Sequence, residues 1–173
     1  MTQGTLEHQR NDGIHIETVV DHLDRLENFP AEIGEYLRQQ PVETLVFRPS
    51  ADTWSIVEIL GHLIVFDARW GNRMRQMLSA DAVRFVAMEA EYAVQRFGFQ
   101  NKQAGDLLGG FTARRAEMVV FLRGLRTAHL MRTGSHPVKG TISVVDAIAT
   151  LVDNDAIRGC QIRTNLRAYH EAQ

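Results

Sequence analysis

A single cysteine, Cys160, rules out an internal disulfide framework and any cysteine-based zinc cluster. Prolines are few and stand only at 30, 41, 49 and 137, so long stretches between them are open to helix. Neither sign of charge dominates. Lys and Arg number 19 against 21 Asp and Glu, a formal net charge of −2 that offers no field for phosphate backbones and excludes general nucleic-acid binding. No apolar run approaches the ~18 residues of a membrane-spanning helix, which excludes the membrane as a partner. The polar stretch Met1–Asn11 has no apolar stem of a signal peptide, and the expected location is cytoplasmic. There is no His-x-x-x-His pair, no glycine-rich phosphate loop and no serine nucleophile elbow. What remains is 173 residues, 45% apolar and 23% charged, the profile of one globular domain.

Residues 1–13 read as a flexible N-terminal arm, and residues 14–173 as a single helical bundle. The first helix covers 14–28, with Ile16, Val19, Leu23 and Leu26 at helical spacing. Pro30 suits the first turn of a following segment with Ile33, Tyr36 and Leu37. Pro41 and Pro49 bracket a connector holding Phe47. The second long helix spans about 54–78, capped by Asp52 or Thr53, with a stripe of Ile56, Leu60, Leu63, Trp70, Met74 and Met77. Its first half is apolar nearly all round, which marks a central, buried helix.

Residues 79–102 carry Phe85, Tyr92, Phe97, Gly98 and Phe99 and read as a long crossover with room for a short helix. A third helix fits 103–125, with Leu108, Phe111, Met118, Leu122 and Leu125 on one face. A turn-rich connection follows at 127–140. The last helix starts at Thr141 or Ser143 and runs to about Tyr169 on Val144, Ile148, Leu151, Ile162 and Leu166. Without convincing strand alternation, the expected fold is an all-α bundle.

A few polar residues interrupt the apolar faces. Asp67 lies between Leu63 and Trp70 on the second helix, with His62 at the edge of that stripe. Asn154, Asp155 and Arg158 lie between Leu151 and Ile162 on the last helix. A buried charge costs several kcal/mol unless it is paired or bound to a metal. These residues therefore point to one interior polar site, which is either a structural ion pair or a place for a metal or ligand. The remaining histidines read more simply. His8, His15 and His22 recur every seven residues and suit a solvated face, and Cys160 points away from the stripe.

The run Arg48-Pro49 followed by Trp54-Ser-Ile-Val-Glu-Ile-Leu-Gly-His62-Leu63 resembles the DinB/YfiT-like family. So do Arg73, the segment FTARRAEMVVFLRGL, the run His136-Pro-Val-Lys-Gly140-Thr-Ile-Ser, and the spacing to Asp155 and Gln161-Ile162. The resemblance covers roughly residues 15–170. It implies a four-helix bundle with a long crossover, commonly a homodimer. It also implies a divalent nickel, zinc or iron held by three histidines, one from the W-S-x-x-E-x-x-x-H-L block and two from an H-D-x-x-H motif. Some relatives of this kind look like thiol S-transferases using low-molecular-weight thiols, others look like metal-dependent hydrolases, and many have no known reaction.

Only the first ligand carries over, as His62. The second motif is matched by Asn154-Asp155-Ala156-Ile157-Arg158, so both remaining ligand positions, Asn154 and Arg158, are changed. A guanidinium has no lone pair to offer, and an amide oxygen is a poor substitute for imidazole with a borderline metal. No tightly bound metal is expected, and Arg158 is expected to pair with Asp67, Asp155 or both where the ion would have stood. Three functions follow. One is a metal-free, small-molecule-binding, stress-related member. Another is a metal-dependent hydrolase or thiol S-transferase using His62 with substitute ligands such as Asp67, Asn154 or Asp155. The third is a metal-free acid/base enzyme using His62 and Asp67.

Overall fold

In a computed structural model, the backbone of residues 4–87, 94 and 96–173 is described, with side chains from residue 16 onward. Four long helices make the bundle: α1 (Gly4–Leu37), α3 (Ile56–Ser79), α4 (Ala104–Arg123) and α6 (Val144–Glu171). Among the elements with described bounds, two short helices, α2 (Val42–Val46) and α5 (Thr127–Leu130), sit in connections. Each of α1 and α3 packs against both α4 and α6, so α1 and α3 stand diagonally opposite. The fold is the expected all-α four-helix bundle with a long crossover between α3 and α4.

The structure differs from the sequence pattern in four places. The first helix does not stop near residue 28 but continues through Pro30 to Leu37, and at its other end it takes in most of the segment read as an arm. Ile16 is exposed rather than part of the stripe, whereas Val19, Leu23, Leu26 and Ile33 are buried. The cap of α3 is Ser55, not Asp52 or Thr53. The Ser55 backbone N–H and Oγ–H both donate to Glu58 Oε2 at 2.9 Å, the return half of a capping box.

The fourth difference is a small sheet made by β1 (Val83–Arg84), β2 (Thr133–His136) and β3 (Gly140–Ser143). β1 pairs parallel with β2, and β2 pairs antiparallel with β3, with His136 opposite Gly140. Gly140 takes a φ of +74°, a left-handed value that favours glycine in the hairpin turn. Strands this short carry too little alternation to be read from sequence. Ser143 caps α6, accepting from the Asp146 backbone N–H at 3.2 Å. The crossover is pinned by a 3₁₀ turn at Phe99–Asn101, whose Phe99 ring lies where a Cβ on Gly61 would come within 2.1 Å. Tyr92 lies outside the described residues.

At the centre of the bundle stands Arg115 of α4, 1% exposed. Its Nε donates to Asp67 Oδ2 at 2.8 Å and its Nη2 to Asp67 Oδ1 at 2.9 Å. Its Nη1 donates to Asp155 Oδ2 at 2.5 Å and to the Leu26 carbonyl at 3.1 Å, and Nη2 also reaches Asp155 Oδ1 at 3.0 Å. One guanidinium thus joins all four long helices. Burial opposes its charge, but the hydrogen bonds and field of Asp155 and Asp67 outweigh burial and hold it protonated above the usual arginine range. Burial also drives both carboxyls upward against the pull of Arg115, Asp155 to about 6.

Two outcomes follow for stability. Arg115→Met leaves two buried carboxylates uncompensated and should lower the unfolding free energy by about 3–5 kcal/mol, read by urea denaturation at neutral pH. The folded chain also keeps a proton on Asp155 that the unfolded chain releases near 3.8. That contribution is complete below about pH 3.8 and is lost as pH rises through about 6. Urea midpoints measured across this window should fall with rising pH, and Asp155→Asn should flatten the slope.

Candidate functional site

The site is built from the first turns of α3 and the middle of α6. Glu58, 2% exposed, receives the Arg48 Nε at 2.9 Å and a second Arg48 N–H on its other oxygen, besides its contacts with Ser55. Arg48 and Glu58 therefore lock the loop before α3 onto its first turn. Asn165 Nδ2 of α6 holds the Trp54 carbonyl at 2.7 Å. These contacts fix Trp54 beside His62, ring centroids 5.0 Å apart, and Phe66 lies on the other side of the imidazole at 5.3 Å.

His62 is 2% exposed, and its Nε2 lies 3.1 Å from Asn154 Oδ1. Donor and acceptor in this contact depend on the imidazole tautomer; in the form protonated at Nε2, that nitrogen donates to Oδ1 and keeps no lone pair for a metal. Arg158, half-buried, donates from Nη1 to Gln161 Oε1 at 2.9 Å, and its guanidinium lies over the Trp54 ring at 4.6 Å. The structure thus brings His62, Asn154 and Arg158 together around Trp54.

It does not join Arg158 to Asp67 and Asp155 as the sequence pattern suggested. The charge that answers those two carboxylates is Arg115, from the helix opposite. The sequence reading missed Arg115, although its place in the stripe between Phe111 and Met118 was the signal that could have found it. Both oxygens of Asp67 accept from Arg115.

A metal held by three protein ligands does not fit these residues. His62 offers one imidazole, Asn154 an amide oxygen and Arg158 a cation. Among the described residues no group of three His, Cys, Asp or Glu side chains is placed to hold an ion. His22 is half-buried on α1, the side chains of His8 and His15 lie outside the described residues, and Cys160 is exposed.

Beyond Asn154 opens a cavity of about 630 Å³ lined by Phe66, Arg69, Trp70, Arg73, His136 and Lys139, among others. His136 stacks on Trp70 with ring centroids 5.8 Å apart and planes within 6°. Its Nδ1 accepts the backbone N–H groups of Val138 and Lys139, each at 3.2 Å, so the hairpin turn holds the ring in place. Burial lowers the His136 pKa, and Arg73, Lys139 and Arg69 lower it further.

The bundle matches the structure described as "YfiT from Bacillus subtilis is a probable metal-dependent hydrolase with an unusual four-helix bundle topology". The TM-score is 0.82 at 15% sequence identity, with 89% of each chain covered. At that identity the likeness establishes the fold. No curated protein matches the chain. Among the described residues no helix is long and apolar enough to cross a membrane. Residues 25–162 match the DinB superfamily, and the chain belongs to that family.

Proposed function

We propose that this chain is a DinB-family protein that binds a small molecule and carries out no metal chemistry at the inherited position. The carrying observation is the contact between His62 Nε2 and Asn154 Oδ1. It engages the imidazole that the family resemblance assigns to a metal. The second substituted position is taken by a guanidinium that has no lone pair and rests on Trp54. The cavity beside this contact is of ligand size and is walled by aromatic and cationic side chains. The reading includes a stress-related role, a cytoplasmic location expected from composition, and a homodimer expected from the family resemblance.

The competing reading is a metal-dependent hydrolase or thiol S-transferase with His62 and oxygen donors as ligands. Its support is the description of YfiT as a probable metal-dependent hydrolase. Elemental analysis of untagged protein equilibrated with nickel, zinc or ferrous iron separates the two. The expected content is far below one equivalent per chain. A full equivalent that disappears in His62→Ala would establish the competing reading.

The converse change is also informative. Asn154→His combined with Arg158→His rebuilds the three-imidazole set and should tighten zinc or nickel binding by at least ~100-fold, since even a neighbouring-shell partner is worth ~10–100-fold. Competition with a chromophoric chelator reads that gain.

A further inference from the structure

We propose that the cavity beside the His62–Asn154 contact binds a small organic anion, its oxygen head group held by Arg73, Lys139 and Asn154. The proposal rests on the metal-free reading in one respect: the attracting charge comes from side chains rather than from an ion.

Three observations carry it. Among the described residues, Arg69, Arg73 and Lys139 share the lining with Asp153, which is exposed on α6. Arg73 is 6% exposed, donates one N–H to the Val86 carbonyl at 3.0 Å and lies near the Trp70 and Phe85 rings at 4.8 and 5.2 Å. Lys139 Nζ donates to Thr150 Oγ1 at 2.9 Å and lies 5.8 Å from the Trp70 ring. Neither Arg73 nor Lys139 forms an ion pair among the described residues. A guanidinium with five N–H groups and an ammonium with three both retain donor capacity toward an oxyanion.

The second observation is Asn154. It is 8% exposed, its Oδ1 faces His62, and its Nδ2 has no hydrogen-bond partner among the described residues. A buried amide donor left unmade is unfavourable, and an acceptor in the cavity that Asn154 lines would complete it.

The third is the apolar remainder of the wall. Phe66, Trp70 and Ile157 line the cavity, with Val138 at its mouth. Ile157 is 61% and Val138 85% exposed, an arrangement suited to the body of an organic acid rather than to a bare ion.

Titration calorimetry of the full chain with benzoate, octanoate and inorganic phosphate in chloride-free buffer tests the proposal, with benzamide as the neutral control. Saturable binding of a carboxylate is expected, and benzamide should be silent. Lys139→Gln and Arg73→Gln should each weaken binding by about tenfold, in line with a lost charge-assisted hydrogen bond. Asn154→Asp, which puts a carboxylate in place of the donor, should weaken it further.

Phosphate binding alongside the carboxylates would show that the head group suffices, and binding of carboxylates alone would show that the apolar body is required; either supports the proposal. In the same titration the His136 imidazole, watched by NMR, should rise in pKa as the anion offsets Arg73, Lys139 and Arg69 across from Asp153. Failure of all three anions to bind, equal binding of benzamide, or binding unchanged in Lys139→Gln would overturn it. Metal content of the same preparations separates the two readings. Metal at His62 with the anion effects intact sinks the metal-free reading alone. No metal and no anion binding sinks this inference alone.

Discussion

A guanidinium buried between two carboxylates sets the geometry of this bundle. Arg115 reaches Asp67 on α3, Asp155 on α6 and the Leu26 carbonyl on α1 from its own place on α4. Removing three charges from water is unfavourable, and well-packed apolar residues of equal volume would make the centre at least as stable. What such residues would not do is specify register. An apolar stripe tolerates small rotations and slides, whereas a planar fork with fixed donors does not. With Asp67 and Asp155 both held by one side chain, the rotation of α3 relative to α6 is fixed. His62, just over one turn before Asp67, and Asn154, next to Asp155, then meet at 3.1 Å.

On the metal-free reading proposed above, this arrangement accounts for a fold that needs no ion at its centre. If the carboxylates near the polar site had depended on a bound cation, replacing two imidazoles would have left buried negative charge. They do not depend on it, because Arg115 answers both. Arg158 is therefore under no electrostatic demand from Asp67 or Asp155. Its guanidinium lies instead over Trp54, where a flat, weakly hydrated cation is well placed on an aromatic face. The aspartate retained within the second motif belongs, in this chain, to the framework.

Much of the architecture was legible because long helices announce themselves. The stripe of Ile56, Leu60, Leu63, Trp70, Met74 and Met77 is buried along its whole length. Asp67, Asn154 and Asp155 were legible as interior residues because they fall between apolar residues of the stripes. Their partner was not, because spacing gives the face of a helix but not which facing helix supplies the answering charge; Arg115 met the same test and sits in its own stripe. Pro30 misled for a related reason. It suggests a break, yet tertiary packing of Phe29 and Ile33 carries α1 through it. The hairpin was illegible because its strands are four residues each, too few for alternation to separate from a turn. That mattered most for function, since the hairpin brings His136 and Lys139 against Trp70.

The electrostatics of the cavity also bear on what kind of ligand a metal-free relative would keep. An enzyme that places a divalent ion at the end of a pocket draws charge and geometry from the ion. Here the positive charge is distributed along one wall, on Arg69 and Arg73 of α3 and Lys139 of the hairpin turn. His136 sits among them with its affinity for a proton lowered by burial and by those same cations. A wall of this kind is what the proposed anion site requires, with charge supplied from several directions by side chains. The separation of the cations across two elements has a further consequence. The hairpin and α3 are joined through Trp70, whose ring is within reach of Arg73, Lys139 and His136 at once. An anion bridging Arg73 and Lys139, as proposed, would relieve the repulsion between those two cations beside that ring.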